Sequence, residues 1–162
     1  MNARTSLVLT ESQETAVTRL FENNATILVA ATGVGKTIIC LTAVQELIEA
    51  GHLKRVIVAC PAKVASTQVW SKDAAKWDHI NLQVEELVGS AAQRLEKLAV
   101  CQAHIIVVSL NNLDWLLQED HGCDGIIIDE LSKAAGKQTA KLRSKKWGGC
   151  FKWRVGMTAT PV

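Results

Sequence analysis

Five short apolar runs, TILVA (26–30), RVIVAC (55–60), HIIVVS (104–109), GIIID (125–129) and WRVGM (153–157), recur along the 162-residue chain, and their cores do not alternate with polar residues. A strand with one wet face alternates apolar and polar positions, whereas a strand covered on both faces reads as a continuous apolar run. Between the runs, apolar residues return at helical spacing, as Ala16, Val17, Leu20 and Phe21 do over 11–23. Strands alternating with helices in this way predict an α/β fold, a mostly parallel sheet with helices on both faces.

The helix over 11–23 is opened by Thr10 and Gln13 at capping-box spacing, and a second over 36–50 is closed by Gly51. Further helices are expected from Pro61 to about Trp77, near 91–99, from Ser109 onward, and in a basic segment after residue 130, with a weaker strand LQVEELV at 82–88. The length suits one hydrophobic core and falls short of two typical domains.

Between the first strand and the second helix lies Ala30-Ala31-Thr32-Gly33-Val34-Gly35-Lys36-Thr37, which has Walker A spacing with Ala in place of the first Gly. Glycines reach backbone angles closed to other residues and let amide N–H groups approach phosphate oxygens, while a helix starting at Lys36 turns its dipole toward the same point. Thr32, Gly33, Val34, Gly35, Lys36 and Thr37 are therefore expected to cradle the phosphates of ATP. Lys36 would reach the β and γ phosphates, and the Thr37 hydroxyl would ligate Mg²⁺. The plain alternative is a glycine turn with a solvated lysine.

The run IIIDE (126–130) ends in two carboxylates at the carboxyl end of a strand, where α/β sheets bind ligands. Asp129 is expected to hold Mg²⁺, and Glu130 to orient and deprotonate an attacking water, so that Lys36, Asp129 and Glu130 form the catalytic set. The alternative is a strand end followed by a helix whose first turn favours acids.

The net charge of +2 conceals a division: residues 1–130 carry −6 and residues 131–162 carry +8. Lys133, Lys137, Lys141 and Lys145 recur every four residues, which on a helix makes a basic stripe with no interleaved acid. Such a stripe is either a solvated face or a contact for nucleic-acid phosphates. The five cysteines are scattered and never spaced C-x-x-C, against a zinc site or disulfide framework and in favour of buried or neutral thiols in a reducing compartment. No apolar stretch approaches the roughly 20 residues that span a bilayer, so no membrane partner is expected and the localisation expected is cytoplasmic.

In order along the chain, these segments resemble the superfamily-two helicases and translocases, and within them the Swi/Snf-type group with its phage-encoded members. AATGVGKT (30–37) is similar to motif I, VIVACPAKVASTQVW (56–70) to motif Ia, VVSLNNL (107–113) to motif Ib, DELS (129–132) to motif II and GMTATP (156–161) to motif III. The resemblance covers almost the whole chain. It implies that residues 1–162 form the N-terminal RecA-like ATP-binding lobe of a helicase, a P-loop NTPase domain, in the interior of a phage-infected or host cell.

The resemblance further implies that Gln13 reads adenine, the capping box being its other explanation, and that Thr158 and Thr160 couple the ATP site to nucleic acid, unless they merely form a turn closed by Pro161. Lys63 and Ser109 resemble positions that touch the nucleic-acid backbone, or are solvated loop residues; Lys133, Lys137 and Lys141 would join them. Ser132 stands where DEAD or DEAH proteins carry the Asp or His that links to motif III, a departure that favours a translocase. The partners implied are a nucleic acid, double-stranded DNA in the Swi/Snf-type group, and a second RecA-like lobe with its arginine. Because the sequence stops at Val162, right after motif III, that lobe is expected in cis or in trans, and the chain alone is expected to be a weak or inactive ATPase. Two other classes fit the same motifs less fully: an ATP-responsive binding module without turnover, and another P-loop enzyme such as a small-molecule kinase.

Overall fold

The computed structural model describes residues 8–29, 35–130 and 150–159. The expected basic helix, and with it Ser132, Lys133, Lys137 and Lys141, lies outside these residues, as do Thr32, Gly33, Val34 and Thr160.

Six strands, β1 (Ala25–Val29), β2 (Val56–Cys60), β3 (Val84–Glu86), β4 (Ile105–Ser109), β5 (Gly125–Ile128) and β6 (Trp153–Thr158), form one sheet in the order β1-β6-β5-β2-β4-β3. Every pairing is parallel. The central strands β2, β4 and β5 are buried at every position, which explains their unbroken apolar runs.

Alternate residues of these strands feed two cores. Val56, Val58, Cys60, Val107, Ile127, Val155 and Met157 pack with Val17 and Leu20 of α1 (Glu11–Glu22), with the inner face of α2 (Lys36–Glu49) and with Trp70 and Ala74 of α4 (Val69–Lys76). Ile57, Ala59, Ile106, Val108, Ile126 and Ile128 pack on the other side with Leu98 of α5 (Ala91–Val100) and Leu113 and Leu116 of α6 (Leu113–Leu117). Among the described residues, α2 and α4 cover the first face as the chain crosses the sheet to β3, and α5 and α6 cover the second as it returns to β5, as right-handed crossovers require.

Two elements differ from expectation. The helix expected from Pro61 to Trp77 is broken: α3 spans Ala62–Ser66, and Gln68, at φ 58, turns the chain before α4 begins. The helix opened by Ser109 starts as a 3-10 turn (Leu110–Asn112) and continues as the short α6. The Thr10/Gln13 capping box forms, and a second one, Ser90/Gln93, opens α5. Cys40, Cys60 and Cys123 are buried thiols, whereas Cys150 is exposed. Among the described residues no helix is long and apolar enough to cross a membrane.

At the amino ends of the strands Arg55 works as a clasp. Its guanidinium donates to the carbonyls of Ala103 (2.8 Å), Cys101 (2.8 Å) and His121 (3.0 Å), joining the loops that lead into β4 and β5. The Asp124 carboxylate accepts from the Lys54 and Arg55 backbone N–H groups beside it. Arg55→Ala removes three charge-assisted hydrogen bonds at once, with an expected loss of about 2–4 kcal/mol in urea unfolding. Because the clasp lies at the end of the sheet opposite Lys36 and Asp129, the effect should be confined to stability.

Candidate nucleotide site

The carboxyl ends of β1, β6 and β5 are held level by their pairing: Val29 faces Thr158, and Gly156 faces Ile128. One step further along the same register puts Asp129 beside Met157. Asp129 extends β5 on its other side too, its N–H donating to the Ala59 carbonyl of β2 at 2.8 Å. The side-chain alternation that sends Ile127 into the α2 core sends Asp129 to the same face, in one row with Cys60 and Met157.

The first turn of α2 lies over this row. Gly35 is its N-cap, left-handed at φ 74 and ψ 42, and its carbonyl accepts from the Ile39 N–H at 3.1 Å. Lys36 and Thr37 follow as the first helical residues, both half-buried. Cys40, one turn on, brings its thiol to 3.2 Å from the Met157 sulfur.

Gln13 reaches the same place from α1. Its Oε1 accepts from the Thr10 N–H at 2.9 Å, completing the capping box, while its Nε2 faces Gly35 so closely that a Cβ there would stand 2.5 Å away. The capping role and a place against Gly35 are therefore held together by one side chain.

Burial pushes the Asp129 pKa up, as does the neighbouring Glu130 charge; the Trp70 indole N–H and the Lys36 ammonium pull it back, with the net shift upward. Lys36 and Asp129 thus share one electrostatic site. The same carboxylate, after burial itself, raises the thiols of Cys40 and Cys60, the latter to about 12, so both stay protonated at neutral pH. Glu130 adopts φ 64, a left-handed conformation that a non-glycine residue holds at a cost of about 1–3 kcal/mol and that recurs at functional sites.

The remaining expected residues are spread around this end of the sheet. Thr158 is 1% exposed at the tip of β6, between the loop strand and the carboxylate strand. Ser109 is 7% exposed at the tip of β4, and Lys63 is exposed on α3. Trp70, in range of Asp129, closes the segment similar to motif Ia, but its spacing there marks only an apolar helix position.

An oxygen donor pair, the Thr37 hydroxyl and the Asp129 carboxylate, suits Mg²⁺ with the rest of its shell as water or phosphate. The upward shift of Asp129 fits the same ion: a carboxylate whose charge is disfavoured by burial and by Glu130 gains from a cation.

A family model described as DEAD/DEAH box helicase matches residues 10–162. The protein p41 of Acyrthosiphon pisum secondary endosymbiont phage 1 is 33% identical over 144 residues, covering 82% of this chain and 31% of its own. Among solved structures, the Sulfolobus solfataricus SWI2/SNF2 ATPase core in complex with dsDNA superimposes with a TM-score of 0.74 at 20% identity, over 98% of this chain and 33% of that one. The UvsW helicase from bacteriophage T4 gives 0.71 at 15% identity, over 95% and 53%. The Pyrococcus furiosus Hef helicase domain gives 0.71 at 22%, over 93% and 32%. The fold is RecA-like, and the chain spans about a third of the length of p41.

Two outcomes follow from this geometry. Gly35→Ala should cost about 1 kcal/mol from the left-handed backbone alone, with a further steric loss against Gln13. Adding Gln13→Ala should recover that second part, giving a non-additive double-mutant cycle in thermal unfolding. For Asp129, a raised pKa means that the folded state holds the proton more tightly than the unfolded chain. The charged form therefore costs stability above the raised pKa, and the cost vanishes below the ordinary value of 3.8. Asp129→Asn should raise the metal-free melting temperature at neutral pH, by about 2–4 °C for each kcal/mol relieved, and have little effect near pH 3.

Proposed function

The chain belongs to the DEAD/DEAH box helicase family, and from that footing we propose that it is the N-terminal ATP-binding lobe of a nucleic-acid-dependent ATPase acting on double-stranded DNA. The observation that carries the proposal is the convergence of the first turn of α2, with Lys36 and Thr37, on the Asp129–Glu130 end of β5 across the Thr158 tip of β6.

In this reading the backbone of residues 32–35 and the α2 amino terminus bind the phosphates, and the Lys36 ammonium neutralises the β and γ oxygens. Thr37 and Asp129 would hold Mg²⁺, which would supply Lewis-acid polarisation of the terminal phosphoryl group. Glu130 accepts a proton from the attacking water, and Gln13 lies where the base is read, its place beside Gly35 supporting that role. Thr158 and Thr160 pass the state of the site to the nucleic acid, with Ser132 as the motif II partner. Lys63, Ser109 and the lysines 133, 137 and 141 supply the nucleic-acid side, a contact that would be salt-sensitive and largely independent of sequence. The DNA in the SWI2/SNF2 complex supports the choice of double-stranded DNA, and the phage origin of p41 supports a phage or host-cell interior.

Efficient turnover requires a second RecA-like lobe, in the same polypeptide or another, because a transition-state arginine contributes on the order of 10³–10⁵ in rate. The test is ATPase activity of this chain, alone and with a second lobe supplied, each with and without DNA. Weak turnover alone and strong DNA-stimulated turnover with the second lobe are expected. Lys36→Ala should abolish nucleotide binding, whereas Glu130→Gln should keep binding and cut turnover by about 10²–10⁴. Nucleotide binding with no turnover in any combination would establish a binding module instead.

A further inference from the structure

Trp70 has the largest fully buried side chain of the described residues, at 1% exposure, yet its indole Nε1 has no hydrogen-bond partner of regular geometry. A buried indole N–H normally finds an acceptor, and leaving one unpaired costs about 1–3 kcal/mol. Trp153 in the same core illustrates the usual outcome, donating to the Leu20 carbonyl at 2.9 Å. Asp129 continues the strand row of Cys60, Met157 and Ile127, which belong to the same core cluster as Trp70, and its carboxylate is the acceptor in range of the indole.

Both ends of this pairing are built in. Trp70 sits in the first turn of α4, and the next residue, Ser71, donates from its backbone N–H (3.3 Å) and from its hydroxyl to Glu86, a buried carboxylate on β3. That anchor stops α4 from rotating the indole away. The two non-glycine residues with positive φ among the described residues are Gln68 at 58 and Glu130 at 64. One lies two positions before Trp70, and the other directly follows Asp129. Left-handed backbone at non-glycine residues persists where the surroundings over-determine it, and here it flanks both partners of one contact.

We propose that Trp70 is a positioning residue for Asp129: its indole N–H, held in place by the Gln68 turn and the Ser71–Glu86 anchor, faces one carboxylate oxygen and leaves the other directed toward Lys36 and Thr37. An indole donates and cannot accept, so it favours the ionised carboxylate, the stronger acceptor, over the carboxylic acid, whose hydroxyl proton it cannot take. It also fills the space behind the carboxylate with an apolar ring, excluding water from that side. Partners behind a metal-binding carboxylate commonly set metal affinity by 10–100-fold, and nothing in a helical apolar pattern marks Trp70 for that role.

The inference rests on Asp129 as the cation ligand for its consequence, but not for the contact itself, and the two are tested apart. In the ¹⁵N-labelled full chain without metal or nucleotide, the Trp70 indole signal is assigned by its loss in Trp70→Phe. Asp129→Asn should move that signal and leave the Trp153 indole signal in place. An unmoved Trp70 signal overturns the proposal; should Trp70→Phe fail to fold, nuclear Overhauser contacts from the indole N–H to neighbouring core side chains supply the assignment instead. In a second arm, Mg²⁺ is titrated against the chain saturated with a non-hydrolysable ATP analogue. Trp70→Phe should weaken Mg²⁺ by about 10–100-fold while leaving analogue affinity in EDTA unchanged. Equal Mg²⁺ affinity in the variant and the parent overturns the positioning role. Absence of any Mg²⁺ effect in the parent, with the indole signal still responding to Asp129→Asn, overturns the cation reading of Asp129 and the positioning role built on it, leaving only the contact.

Discussion

The arrangement depends on the pairing of β6 between β1 and β5. The strand nearest the end of the sequence inserts between the first and the fifth, and its two ladders bring Val29, Thr158 and the Asp129–Glu130 pair to one end of the sheet. Parallel ladders join residues far apart in sequence, so each of these pairings closes a loop of many residues before it contributes stability. The strands repay that entropy through burial on both faces, which is why the sheet centre is apolar at every position. The first turn of α2, the Asp129–Glu130 pair and Thr158 keep their spacing because these backbone ladders do.

The site holds opposed charges in a half-buried place. Asp129 lies against the α2 core, where burial and Glu130 both disfavour its ionised form and Lys36 and the Trp70 indole favour it. The outcome is a carboxylate with a raised pKa beside two thiols that its charge helps keep protonated. The ionised carboxylate costs stability there, and under the proposed reading a bound cation would relieve that cost, coupling stability to binding. The same end of the sheet carries the strained Glu130 backbone, a second cost accepted where the chemistry is expected.

Much of this could be read from the sequence, for definite reasons. The buried strands announced themselves as unbroken apolar runs, and the Gly-x-Gly-Lys-Thr string fixed the start of α2 because glycine at 35 is needed both for φ 74 and for the approach of Gln13. The Thr10/Gln13 box was legible by its spacing, while the identical spacing at Ser90/Gln93 passed unread between weaker elements. Strand order was not legible, since nothing local in WRVGM says that it pairs with both TILVA and GIIID. The break at Gln68 was also hidden, because glutamine has no preference for left-handed backbone and nothing local in the sequence calls for φ 58 there. For the same reason Trp70 looked like one more core residue, its polar atom mattering only once Asp129 is opposite.

The central claim is that α2 and the end of β5 form one site for ATP and Mg²⁺ together. It is tested most directly by calorimetric titration of the chain with a non-hydrolysable ATP analogue, with Mg²⁺ and with EDTA. Coupled binding requires Mg²⁺ to tighten the analogue by about tenfold or more, and the analogue to tighten Mg²⁺ by the same factor. Equal analogue affinity in Mg²⁺ and in EDTA, or no binding in either, would contradict it.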